Sequence, residues 1–117
     1  MGHHFLQERY MNLSITGHNL EVTDALNAYV KNKMRRIHRH FDGIISTQVL
    51  LSIDRLKHNA QATLRVQGKD IHCQANDSNL YAAIDLLVDK IDRKVLKYKN
   101  KLQSYHTNQP LKRQEAF

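Results

Sequence analysis

Eleven of the chain's eighteen lysines and arginines stand in two short windows. The first holds Lys31, Lys33, Arg35, Arg36 and Arg39, with no acid between Asp24 and Asp42. The second holds Lys90, Arg93, Lys94, Lys97, Lys99 and Lys101 against Asp92 alone. Cations repeated at this spacing suit one chemistry above others, the neutralisation of phosphates. Each ammonium or guanidinium that meets a phosphate releases condensed counterions, and that release drives much of nucleic-acid binding. The whole chain carries a formal charge of +7 and a sequence pI near 9.7. An anionic partner is therefore expected, nucleic acid ahead of a membrane surface.

Other chemistries find no support. Eight histidines and one cysteine invite a metal site. His38 and His40, however, are two apart on a helix and point away from each other. His72 and Cys73 are neighbours on a strand and point to opposite faces. Cys73 is most simply a small core residue, and no paired-cysteine zinc spacing exists. Asp85, Asp89 and Asp92 sit at i, i+4 and i+7 and read as a helix flank, not as an acid–base pair. The glycines 2, 17, 43 and 68 stand singly, so no loop cradles a phosphate. No serine or cysteine is paired with an activating base. The chain reads as a binder and not an enzyme, with no cofactor, no metal and no small-molecule substrate.

At 117 residues the chain is one domain, large enough to bury roughly 65% of its unfolded surface. The single cysteine excludes an intramolecular disulfide scaffold. The longest apolar run, Leu80–Ile84, is far short of the ~20 residues that span a bilayer. The opening MGHHFLQERY has no apolar segment of signal-peptide length, so a cytoplasmic protein is expected. Residues 1–10 read as an N-terminal extension, a cloning remnant or an upstream start. Residues 106–117, with the only proline, read as a polar tail. The domain is expected over 11–105.

The elements that must carry the cations follow from periodicity. Residues 11–16 alternate as a short strand, and Gly17-His18-Asn19 turns the chain. Thr23 caps a helix with Asp24 in its first turn. Leu26, Val30, Met34, Ile37 and Phe41 form its apolar stripe, and Gly43 offers a left-handed stop. Three strands follow, with Val49, Leu51 and Ile53, then Ala60, Ala62, Leu64 and Val66, then Ile71, Cys73 and Ala75 on the buried side. Gly68-Lys69 suits the hairpin turn between the last two. Asp77 or Ser78 caps a helix of ~25 residues, and its stripe runs Leu80, Ile84, Leu87, Ile91, Val95, Tyr98 and Leu102. The order β-α-β-β-β-α predicts an α+β fold, a four-stranded sheet with two helices packed on one face. The β-α-β crossover should be right-handed if its strands are parallel neighbours. The basic end of the second helix should project past the sheet.

A charge run on a helix is more often a solvated face than a site, and cations are favoured near any helix C-terminus. The helical wheel argues otherwise here. With Leu80 at zero, Lys90, Arg93, Lys94, Lys97 and Lys101 fall between about 220° and 320°. Asp85, Asp89 and Asp92 fall between about 120° and 180° on the other flank. A face built for solubility alone would mix the signs. The signs are sorted.

The residues also carry a resemblance. Ile15-Thr-Gly-His-Asn-Leu-Glu-Val-Thr-Asp-Ala-Leu26, Phe41-Asp42, Tyr81-Ala-Ala-Ile-Asp85 and Asp89-Lys90-Ile91 with its spaced lysines resemble the bacterial ribosome hibernation promoting factors, over about residues 11–103. The resemblance implies the same β-α-β-β-β-α fold. It implies binding to the small (30S) ribosomal subunit and its 16S rRNA, between head and body, where messenger and transfer RNA would lie. It implies translation blocked and idle ribosomes preserved in stationary phase. The RNA-facing positions would be Lys31, Lys33, Arg35, Arg36, Arg39, Lys90, Arg93, Lys94, Lys97 and Lys101. The short form is the closer branch: long members carry a further ribosome-pairing domain, and the protein Y branch carries an acidic tail. Residues 107–117 hold Lys112 and Arg113 against Glu115 alone. In that branch ribosome dimers need a second small protein, the ribosome modulation factor, and the factor itself is expected to be a monomer off the ribosome.

Two rivals remain. A double-stranded RNA-binding domain shares a β-β-β-α core but places its lysines at the start of the last helix. Here that start is Asn79-Leu-Tyr-Ala-Ala83, with the lysines at the far end. A sigma-factor-modulating module, a label once given to family members, is the rival from another class. Membrane binding is disfavoured because both apolar stripes are needed for the core.

Overall fold

Thr23 starts the first helix as its sequence predicts, its Oγ1 accepting from the Leu26 amide at 3.2 Å. The computed structural model describes residues 12–107, with side chains as far as Leu102. The N-terminal extension and the tail from residue 108 lie outside the described residues. The elements are β1 (Leu13–His18), α1 (Asp24–His40), β2 (Ile44–Asp54), β3 (Lys57–Val66), β4 (Lys69–Asp77) and α2 (Leu80–Thr107). This is the expected order. The sheet runs β1-β2-β3-β4, with β1 parallel to β2 and the other pairs antiparallel. β1 and β2 are thus parallel neighbours, the arrangement in which a right-handed crossover is expected.

One face of the sheet is dry. Val49, Leu51, Ala60, Ala62, Leu64, Val66, Ile71, Cys73 and Ala75 share a core with Leu26, Val30, Met34 and Ile37 of α1. Ile84, Leu87, Ile91 and Val95 of α2 complete it. The period-2 residues of three strands and the 3.6-period residues of two helices therefore meet in a single layer, and the opposite sheet face stays wet. Thr47 is the one polar residue among the described residues buried in this core, and its Oγ1 has no partner.

Local boundaries differ from expectation in five places. β1 starts at Leu13 and runs through Gly17 and His18; the turn comes at Asn19, with φ of 64°. Gly17 is needed for closeness, since a Cβ there would lie 2.5 Å from the Leu20 carbonyl oxygen. α1 ends not in a left-handed glycine but at Phe41, whose extended backbone still donates to the Ile37 carbonyl at 3.1 Å. The hairpin loop is Gln67-Gly68, because Val66 pairs with Lys69, and Gly68 takes φ of 87°. The cap of α2 is Asn79, whose Oδ1 accepts from Tyr81 and Ala82, while Asp77 turns the chain one step earlier through the Ser78 and Asn79 amides. Leu102 is 42% exposed, because the helix has run past the sheet by then. Tyr98 anchors this end of the helix, donating to the Gln67 carbonyl at 3.0 Å and meeting Phe41 edge-on.

Candidate nucleic-acid interface

The wheel's two flanks of α2 face different neighbours. The acidic flank faces α1. Asp85 accepts from the Tyr29 hydroxyl at 2.6 Å and lies 3.4 Å from Lys33. Asp92 lies 3.5 Å from His40, and Asp89 takes Arg93 at 2.7 Å. A groove of about 280 Å³ follows this seam, lined by Lys33, Arg36 and His40 on one wall and by the three aspartates on the other.

The basic flank faces the open end of the sheet. Lys90 donates to the Gln74 carbonyl at 2.9 Å and Lys94 to the His72 carbonyl at 2.6 Å. Both acceptors belong to β4, the outer strand, and residues 72 and 74 are two apart, so both carbonyls point the same way. An ammonium has three N–H donors, so each lysine is held by one and keeps two for a phosphate. Lys97 and Lys101 are exposed on the same helix.

The ten candidate positions are therefore not equivalent. Lys31, Arg35, Arg36 and Arg39 are exposed on α1. Lys33 is half-buried, tied to Asp85 and set 5.3 Å from the Tyr29 ring, so much of its charge is answered within the fold. Arg93 shares its charge with Asp89. Arg36 lines the acidic seam between the helices, while Lys90 and Lys94 lie on the flank of α2 that meets β4.

Some cations have structural work. Lys99, on neither flank of the wheel, donates to the His40 carbonyl at 3.0 Å and so caps the C-terminal end of α1. Lys69 lies 5.7 Å from the Tyr98 ring. These contacts join residues far apart in the chain, so spacing alone gives no signal for them.

Three titratable groups are shifted from their ordinary values. The Tyr29 hydroxyl is pushed up to about 12, chiefly by its hydrogen bond to the Asp85 carboxylate and secondarily by burial. Burial pulls the His38 imidazole down, and its Nε2 is enclosed without a partner. Burial pushes the Cys73 thiol up, although the charges of Lys94 and Lys90 act against this. Among the described residues no three histidine, cysteine or carboxylate groups come together as a metal cluster. No described helix is long and apolar enough to cross a membrane.

Comparison with known proteins bears on this arrangement. Residues 13–103 match the family described as "Sigma 54 modulation protein / S30EA ribosomal protein". The chain is 48% identical over 91 residues to a ribosome hibernation promoting factor of Azotobacter vinelandii, covering 78% of this chain and 85% of that one. It is 41% identical over 95 residues to the Escherichia coli K12 protein of the same name, covering 81% of this chain and all of that one. A ribosomal subunit interface protein from Coxiella burnetii superposes with a TM-score of 0.72 at 28% identity, covering 75% of this chain and 97% of that one. The N-terminal domain of Thermus thermophilus protein Y superposes at 0.68 and 35% identity, covering 73% and 94%. With its β-α-β-β-β-α order matched in both solved structures and its sequence matched from Leu13 onward, the chain belongs to the Sigma 54 modulation protein / S30EA ribosomal protein family.

Proposed function

We propose that this protein is a ribosome hibernation factor, acting in the cytoplasm as a binder and not as an enzyme. It docks on the small ribosomal subunit in the channel of messenger and transfer RNA, through the exposed cations of α1 and the basic flank of α2. Occupying that channel blocks translation and preserves idle ribosomes. It assists ribosome dimerisation together with a separate modulation factor, and off the ribosome it is a monomer.

One observation carries the RNA-binding reading. Lys90 and Lys94 are held in place on β4 with donors to spare, while the carboxylates of the same helix are turned toward α1. Fixed cations with no carboxylate beside them lose little freedom on meeting a phosphate. The names of the similar proteins point to the ribosome as the source of that phosphate.

Sedimentation of stationary-phase lysate tests the reading. The protein should travel with the small subunit and should be displaced by added messenger and transfer RNA. The family description also names sigma-54 modulation. Co-migration with a sigma factor, and none with the subunit, would replace the ribosomal reading by that one.

A further inference from the structure

A second recess, of about 670 Å³, wraps the outer edge of β4. One wall is the basic flank of α2, with Lys90, Arg93 and Lys94. The other is the wet face of the sheet, with Gln61, Thr63, His72 and Gln74. The register explains why these four come together. Gln61 stands opposite Gln74, and Thr63 opposite His72, as adjacent cross-strand pairs on one face.

The two walls differ in chemistry. The α2 wall is cationic. The sheet wall is uncharged but dense in donors and acceptors, and the next cross-strand pair, Arg65 and Asp70, answers its own charge at 3.5 Å. Thr63 Oγ1 and His72 Nδ1 are hydrogen-bonded at 3.0 Å, which fixes the imidazole and leaves Nε2 as the nitrogen for a ligand. The walls are also mechanically joined. His72 and Gln74 give their carbonyls to Lys94 and Lys90 and their side chains to the sheet wall.

A ligand for this recess must offer an anion on one side and neutral hydroxyl or amide groups on the other. A ribonucleotide does so: phosphate on one edge, ribose 2′-hydroxyl and base edge on the other. A bare phosphate would leave the sheet wall without a partner. A lipid surface would bury uncompensated amides. We infer that the β4 edge is a ribonucleotide subsite, in which Lys90, Arg93 and Lys94 hold a phosphate while Gln61, Gln74 and His72 bond the adjoining ribose and base edge. This inference rests on the RNA-binding reading above and extends the interface from the helices onto the sheet.

The test uses purified small ribosomal subunits and the full chain. Gln61→Ala/Gln74→Ala removes two neutral contacts and no charge, and both residues are exposed, so the fold should be kept. Binding should weaken about tenfold, the loss expected for two modest hydrogen bonds, with the salt dependence unchanged. In 2′-hydroxyl acylation of the bound subunit, a few nucleotides protected by the parent should become reactive again. Gln61→Glu, nearly the same size, should weaken binding further, because a carboxylate cannot donate to the ribose or base edge and adds a negative charge against the polyanion. Parental affinity and protection in both variants would overturn the subsite. If Lys90→Gln/Lys94→Gln still weakened binding and flattened its salt dependence, the RNA-binding reading would stand without the subsite. If that lysine pair also bound like the parent, the failure would lie in the reading itself.

Discussion

Tyr29 and Asp85, fifty-six positions apart, are joined by a 2.6 Å hydrogen bond that ties α1 to the acidic flank of α2. The ring of Tyr29 also meets Tyr81 edge-on at 4.8 Å, so the same residue gives the helix pair a polar and an aromatic contact. Tyr29→Phe should cost about 1 kcal/mol in urea unfolding at neutral pH. The folded hydroxyl titrates near 12 against the ordinary 10.0. The protonated form is the one the fold prefers, so this contribution is complete below pH 10 and is lost as pH rises toward 12. The parent and Tyr29→Phe should therefore converge in stability over that range; parallel curves would deny the bond.

His38 gives a dependence of the opposite sense. Its enclosed imidazole resists protonation, so the unfolded chain takes up the proton first as pH falls. Stability should be at its plateau above the ordinary value of 6.5 and should decline below it. His38→Gln should flatten that decline, measured as thermal midpoint against pH.

Thr47 offers a gain. Its hydroxyl is buried at 1% exposure with no partner, inside an apolar layer. Thr47→Val keeps the branched shape and removes the unsatisfied oxygen, and should raise unfolding free energy by about 1–2 kcal/mol. An unchanged or lowered midpoint in urea would mean that the oxygen is satisfied in solution.

Leu87 and Leu86 test the face of α2. Leu87 is 1% exposed and Leu86 43%. Leu87→Ala should cost about 2–5 kcal/mol. Leu86→Ala should stay within about 0.5 kcal/mol, as at an ordinary surface site. Equal costs would mean that the helix is rotated.

The docking face is tested by charge. Replacing Lys90, Lys94 and Lys97 with glutamine should weaken small-subunit binding and flatten its log–log salt slope by roughly two to three units. Replacing Asp85, Asp89 and Asp92 with asparagine removes equal charge but releases Lys33, Arg93 and His40 from their partners. If attraction were generic, the second set would tighten binding about as much as the first loosens it. The lysine set should dominate.

Much of this is legible in the sequence. Ala60, Ala62, Leu64 and Val66 alternate without interruption, and Leu87 and Ile91 keep helical spacing, so period alone placed them in the core. The cap of α2 was not legible to the residue. Asp77, Ser78 and Asn79 are all good caps, and only the oxygen geometry chooses Asn79. Gly68 marked the hairpin but not which neighbour shared the loop, because that depends on the register of both strands. For the site, the wheel sorted the cations of α2 from its acids. It did not reveal that Lys90 and Lys94 rest on backbone carbonyls 16 and 22 residues away, or that α1 faces the acids. A wheel describes one helix, and those contacts belong to two elements at once.

The lysines on the outer edge of β4 have a consequence apart from RNA. Among the described residues that strand has no neighbour beyond it, and its outward carbonyls at His72 and Gln74, were the lysines not on them, would template a strand from another molecule. An incoming chain must first displace two ammonium groups and then lie beside their desolvated charge. The side chains proposed to grip phosphate thus also guard the protein against growing into sheets with its own copies. Neutralising them to abolish RNA binding would leave a protein more prone to aggregate when concentrated. Turbidity measured without any RNA would separate that loss from the loss of docking.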